Sequence, residues 1–172
     1  MPYTLSDARD RFYSWAACRA AQAGSAKAKR SELFDALRDS GVTRYLRGVH
    51  KPNLTSQQFD KHFYNWVEKA ATCLRKKHHR QVSFGIAAKL ISVYLKGAWV
   101  LHHPEYCPLS RHMHPPIDSR LLAAIDECKG TKFSKNYKWQ KLDRGKYREL
   151  VEQLRSLNGA KPFWQLEEYW HP

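Results

Sequence analysis

The chain is expected to fold as an all-α protein, a single domain of about seven or eight helices. Three observations lead there. Leu and Ala together number 34 against 11 Val and Ile, a balance that favours helix over strand by intrinsic propensity. Apolar residues recur at i, i+3, i+4 along most of the chain, as on one face of an amphipathic helix. At 172 residues, 42% hydrophobic and 13% aromatic, the chain is long enough to bury roughly 70% of its unfolded surface, which excludes disorder for most of its length.

The elements follow in order. Thr4-Leu5-Ser6-Asp7 is an acid-supported N-cap, opening a helix that carries Leu5, Phe12, Trp15, Ala16 and Ala20 and stops near Gly24. A second helix spans about 27–40, with Leu33, Ala36 and Leu37 inward and Gly41 as its stop. A basic segment, 43–49, links it to a helix starting at Thr55 or Ser56. There Phe59, Phe63, Trp66, Val67, Ala70, Cys73 and Leu74 form the clearest amphipathic face in the chain. The stretch of about 84–101 is apolar almost all round, the mark of a helix inside the domain. After an irregular segment, 102–116, a helix over about 117–128 is announced by Pro115-Pro116 and Asp118. A Lys-rich connector leads to a helix introduced by Asp143 and stopped by Asn158-Gly159, with Tyr147, Leu150, Val151, Leu154 and Leu157 on one face. The tail, 162–170, is expected as a short helix packing Phe163, Trp164, Leu166 and Trp170 back on the body. Segments 48–53 and 129–138 are the two places for a domain seam, and neither has the composition of a flexible linker.

Thirty Lys and Arg against 16 Asp and Glu give a net charge of +14. That sign attracts nucleic acid, anionic lipid or acidic proteins, and the aromatic content favours nucleic acid. No apolar run is read as reaching the ~18 residues of a membrane span, and acidic residues stand where a signal peptide would be basic, so an intracellular protein without a membrane partner is expected. Cys18, Cys73, Cys107 and Cys128 form no CxxC pair and are read as free thiols. His102, His103, Cys107, His112 and His114 lie within one loop, but their spacing matches no usual zinc pattern, and the expectation is that no metal or other cofactor is bound. Walker, GxSxG and HExxH motifs are absent, as are the clustered acids of a two-metal nuclease.

Three features carry candidate chemistry. Lys89, Ser92 and Lys96 share one face of the buried helix, where an ammonium must meet solvent, an acid or an anionic ligand. A desolvated lysine there has the makings of an amine nucleophile. Next, Asp118 in His114-Pro115-Pro116-Ile117-Asp118-Ser119-Arg120 is either a helix cap or a rigidly mounted catalytic carboxylate. Arg120 in the following turn is placed for a phosphate or an acidic neighbour. The third is the run Arg75-Lys76-Lys77-His78-His79-Arg80, leading into Ser83 and Gly85 at the head of that helix, cations beside free N–H groups that suit a phosphate. A second basic cluster, Lys129, Lys132, Lys135, Lys138, Lys141, Arg144, Lys146 and Arg148, interleaves with Phe133, Tyr137, Trp139 and Tyr147. Phosphate-backbone binding accounts for both clusters together.

Over about 75–124 this pattern resembles the helix-hairpin-helix DNA glycosylase superfamily, nearest to the archaeal 8-oxoguanine DNA glycosylases. Val82-Ser83-Phe84-Gly85-Ile86-Ala87-Ala88-Lys89 stands in place of the hairpin, and His114 to Arg120 in place of the family's Pro-Val-Asp segment. The hairpin's usual Gly-hydrophobic-Gly is reduced to Ser83-Phe84-Gly85, and the lysine is not two residues after that glycine as in the common 8-oxoguanine branch. The resemblance implies a DNA-repair enzyme, nucleoid-associated and monomeric, acting on double-stranded DNA that carries a damaged or modified base. A lysine would attack C1′ of a flipped nucleotide, with Asp118 stabilising positive charge at the sugar, and lyase cleavage could follow. Lys89 and Lys96 both stand as nucleophile, Lys89 slightly ahead, and water activated by Asp118 is the monofunctional route. Trp66, Tyr94 and Trp99 are the candidates to stack on the base. The competing readings are a non-catalytic nucleic-acid-binding or regulatory module, and an adaptor whose basic face takes an acidic protein.

Overall fold

A computed structural model describes residues 2–22, 28–48, 54–77, 82–103 and 107–170. Among these, the elements are α1 (Leu5–Gln22), α2 (Arg30–Ser40), α3 (Val42–Arg47), α4 (Ser56–Lys76), α5 (Phe84–Ala98), α6 (Ser119–Lys129), α7 (Phe133–Asn136) and α8 (Arg144–Asn158). Four 3-10 turns complete them, Val100–His102, Ser110–His112, Trp139–Lys141 and Phe163–Tyr169. The fold is all-α, as expected.

Helix α5 is the axis of the core. It packs on α1, α4 and α8, and the Trp139 turn lies against its head. By length and composition 84–102 is apolar enough to cross a membrane, at a mean hydropathy of 1.4, which corrects the reading that no stretch reaches that length. Seventy-two per cent of it is buried inside the fold. Its lysines, Lys89 and Lys96, point to protein partners described below.

Caps at the helix starts match the expected ones. Thr4 and Asp7 bond reciprocally before α1, at 2.9 and 3.2 Å. Thr55 and Gln58 form the capping box of α4. Asp118 and Asp143 cap α6 and α8.

Four expectations are corrected. In α1 the inward face is Ser14, Ala17, Cys18 and Ala21, while Leu5, Phe12 and Trp15 are exposed. Small residues win because α1 lies close against α5: a Cβ on Gly97 would come within 2.5 Å of the Tyr13 ring. The basic segment read as a linker is α3, started directly by the left-handed Gly41. The Lys-rich connector holds a one-turn helix, α7, because Asp126 accepts from the Phe133 and Ser134 N–H groups and from both nearby hydroxyls. The tail is 3-10 rather than α, with Phe163 and Leu166 buried. The expected stop at Gly24, start at Lys27 and seam over 49–53 lie outside the described residues.

Candidate active site and nucleic-acid face

Lys89 and Asp118 meet. Nζ of Lys89 donates to Oδ2 of Asp118 at 2.9 Å, while Oδ1 accepts the Leu121 N–H at 3.0 Å. The carboxylate is therefore a cap through one oxygen and an ion-pair partner through the other. The side chains are 10% and 15% exposed. Above the ammonium lies the indole of Trp139, 4.7 Å from Nζ to the ring centroid, a further attraction for a cation. Trp139 reaches this position because α5 begins with Ser83-Phe84-Gly85. The Gly85 N–H donates to the Leu142 carbonyl at 3.1 Å, and a Cβ on Gly85 would collide with the Trp139 carbonyl oxygen.

Lys96, two turns along the same face, is held elsewhere. It donates to Glu167 at 2.7 Å, and Glu167 in turn feels the Asp118 charge. Burial, with repulsion from Asp118, raises the Glu167 carboxyl above its usual range despite the Lys96 bond. The face thus carries two ion pairs, Lys89–Asp118 and Lys96–Glu167, with the two acids toward each other. Ser92 between the lysines is fully buried, with no acceptor for its hydroxyl among the described residues.

Asp118 is mounted on a rigid base that sequence reading did not find. Four residues upstream, the fully buried His114 donates from Nε2 to Asp60 at 2.8 Å and has the Tyr147 hydroxyl 3.3 Å from Nδ1. Arg155 grips the same Asp60 carboxylate with both terminal nitrogens, at 2.5 and 2.7 Å. Burial would raise Asp60, but its bonds to His114 and Arg155 hold it down to about 2. Burial lowers His114 to about 4, so its imidazole is neutral at ordinary pH. These partners lie 54 and 33 residues from His114, on α4 and α8, and no local spacing announces them.

The expected phosphate cradle at the head of α5 is already occupied by the protein. Ser83 accepts the Ile86 N–H and Gly85 is buried against Leu142, so neither is open to a phosphate. Arg75 pairs with Glu68 at 3.4 Å and Lys77 pairs with Asp35, leaving Lys76 exposed; Arg80 lies outside the described residues. The second cluster is different. Lys132, Lys135, Lys138 and Lys141 recur every third residue, all exposed, around the turn that carries Trp139. Arg120 is exposed beside Asp118. Lys138 and Lys141 flank the Trp139 that covers Lys89, and Arg120 follows Asp118 by two residues.

The stacking candidates sit apart from that pair. Trp66 is core, edge-on to Phe59 and Tyr45. Tyr94 is buried with its hydroxyl on Asp10, and Trp99 stacks on His103. The histidine loop is likewise dispersed. His102 bonds Tyr13, His103 the Trp99 carbonyl, His112 Ser56 and His114 Asp60, and no group of three metal-ligand side chains occurs among the described residues.

Comparison with protein-family models, with curated proteins and with solved structures finds no match for this chain.

Proposed function

We propose that this chain is a DNA N-glycosylase with lyase capacity, in which Lys89 is the nucleophile and Asp118 its partner carboxylate. The observation that carries this reading is the 2.9 Å contact between Lys89 Nζ and one oxygen of a carboxylate whose other oxygen is pinned by a helix N–H. Lys96 meets Glu167 and not the cap carboxylate Asp118, so the nucleophile is assigned to Lys89. Asp118 can take a proton from the ammonium, freeing the amine to attack C1′ of an extruded nucleotide. The C1′–N bond breaks and the base leaves with the electron pair, taking up a proton. The sugar ring then opens at C1′–O4′ to give a C=N link to Lys89, with a proton going to O4′. Asp118 passes the proton it took to the departing base, and the carboxylate so restored stabilises positive charge at the sugar. Arg120 and the Lys132 to Lys141 lysines supply the phosphate contacts, which fix the duplex but carry no sequence information.

Borohydride trapping on oligonucleotides carrying oxidised, deaminated, alkylated or abasic nucleotides tests the reading. Hydride reduces the C=N link to a stable amine. The wild type and Lys96→Gln are expected to form an adduct and Lys89→Gln to form none, with Asp118→Asn strongly slowed. Thermal melting of each variant separates chemistry from unfolding, since breaking a nearly buried ion pair costs about 3–5 kcal/mol. The near-burial of the pair is also what a structural ion pair shows, and it supports a second reading as a non-catalytic nucleic-acid-binding module. Salt-sensitive DNA binding with no adduct and no base release on any substrate selects that reading.

A further inference from the structure

A cavity of about 270 Å³ lies between α1, α3 and the C-terminal end of α5. Tyr94 on its wall is five residues from Lys89, about 140° around the helix, so the cavity faces away from the Lys89–Asp118 pair. Its lining is cationic. Arg9 and Arg47 border it together with His102 and His103, against one carboxylate, Asp10. That carboxylate is already compensated: it accepts the Tyr94 hydroxyl at 2.7 Å and Arg47 at 3.3 Å. Arg9 has no carboxylate within ion-pair distance among the described residues, which leaves it for an incoming anion.

The same wall carries a preformed aromatic stack. Trp99 and His103 lie 3.8 Å apart between centroids with 9° between their planes. The Trp99 carbonyl accepts from His103 Nδ1 at 2.8 Å, which fixes the ring and leaves Nε2 as its acceptor. His102 Nε2 is hydrogen-bonded to the Tyr13 hydroxyl. Cations beside a rigid flat surface suit a ligand with one negative group and one planar ring system. The volume is near the lower end of ligand pockets, roughly 300–1,000 Å³, and fits a single unit of that kind.

From this juxtaposition we infer that the cavity is a nucleotide-binding site, taking phosphate on Arg9 and Arg47 and a base against the Trp99–His103 stack. The nucleotide is either a free nucleoside monophosphate or the phosphorylated end of a strand. The site stands independently of any covalent chemistry at Lys89.

Calorimetric titration of the full chain tests this with the four nucleoside 5′-monophosphates, adenosine, inorganic phosphate, and a short single strand with and without a 5′-phosphate. At least one monophosphate is expected to bind about tenfold or more tighter than adenosine or phosphate alone. Arg9→Gln and Trp99→Leu should each weaken it several-fold; Arg9 is exposed, so that variant keeps the test valid if Trp99→Leu misfolds. Lys132→Gln and Lys89→Gln should leave it unchanged, which separates this site from the DNA face and from the proposed nucleophile. Preference for the 5′-phosphorylated strand over the free nucleotide identifies the strand end as the source, and the reverse identifies the free nucleotide. Adenosine or phosphate binding as tightly as every monophosphate, an unaltered Arg9→Gln affinity, or no binding at millimolar concentration overturns the proposal.

Discussion

Replacing His114 by Gln should abolish a specific segment of the pH dependence of stability. The imidazole is wholly buried, and burial lowers it from 6.5 to about 4. Because the folded form holds its proton less tightly than the unfolded chain, its contribution is fully present above 6.5 and is lost as the pH falls towards 4. At about 1.4 kcal/mol per pH unit, that interval is worth about 3 kcal/mol. Asp60 acts in a separate, more acid window: its carboxyl is held at about 2 against an ordinary 3.8, so its contribution is present above 3.8 and declines below it. Urea unfolding of wild type and His114→Gln at closely spaced pH values reads both. The wild type is expected to lose most of the 3 kcal/mol between the two histidine limits. The variant, less stable at neutral pH, should lose about 3 kcal/mol less than the wild type over that interval, keeping only the fall due to His112, which burial also lowers, and to the depressed carboxyls below it. A variant curve parallel to the wild type would show that His114 is not the titrating group and would sink the argument that a neutral imidazole mounts the Asp118 loop.

Three further outcomes are expected. If the proposed DNA contact holds, changing Lys132, Lys135 and Lys138 together to Gln should reduce the slope of log K against log salt for duplex DNA by roughly 2 to 3, at about 0.9 per lost phosphate contact; an unchanged slope would remove these lysines from that contact. Gly85→Ala drives a methyl into the Trp139 carbonyl and displaces the indole over Lys89. Thermal melting should show a loss of about 1–3 kcal/mol, and wild-type stability would contradict that close approach. Burial opposes ionisation of Cys107, but the Ser110 and Leu109 N–H groups, the Ser110 hydroxyl and the Trp99 indole outweigh it and lower the thiol. Burial raises Cys73, with Asp39 adding to the rise, and pushes Cys18 to about 12. Peptide mapping after brief iodoacetamide treatment at mildly alkaline pH should therefore find Cys107 alkylated well before Cys73 and Cys18.

The helices were legible because their signals are local. Thr55 and Gln58, Asp118, and Asp143 are caps whose partners lie three residues away, and the apolar faces of α4 and α8 repeat at helical spacing. Lys89 and Asp118 were legible as individuals, one as a cation on an apolar helix and the other as a carboxylate after Pro-Pro. Where locality ended, the reading failed. Leu5, Phe12 and Trp15 look like a core face, yet only small residues fit the close approach of α1 to α5. Lys96 had the same sequence context as Lys89, and the difference between them is Glu167, 71 residues away. Trp66, Tyr94 and Trp99 were chosen for their rings, and packing sent them to the core or to the other side of α5. Residue type and spacing thus settle which segments are helical and which side chains need a partner, because hydrogen bonds within a turn and burial of a stripe depend on near neighbours. Which acid meets which lysine, and which ring faces a cavity, depends on the distances between packed helices, and those are set by the shapes of side chains far apart in the chain.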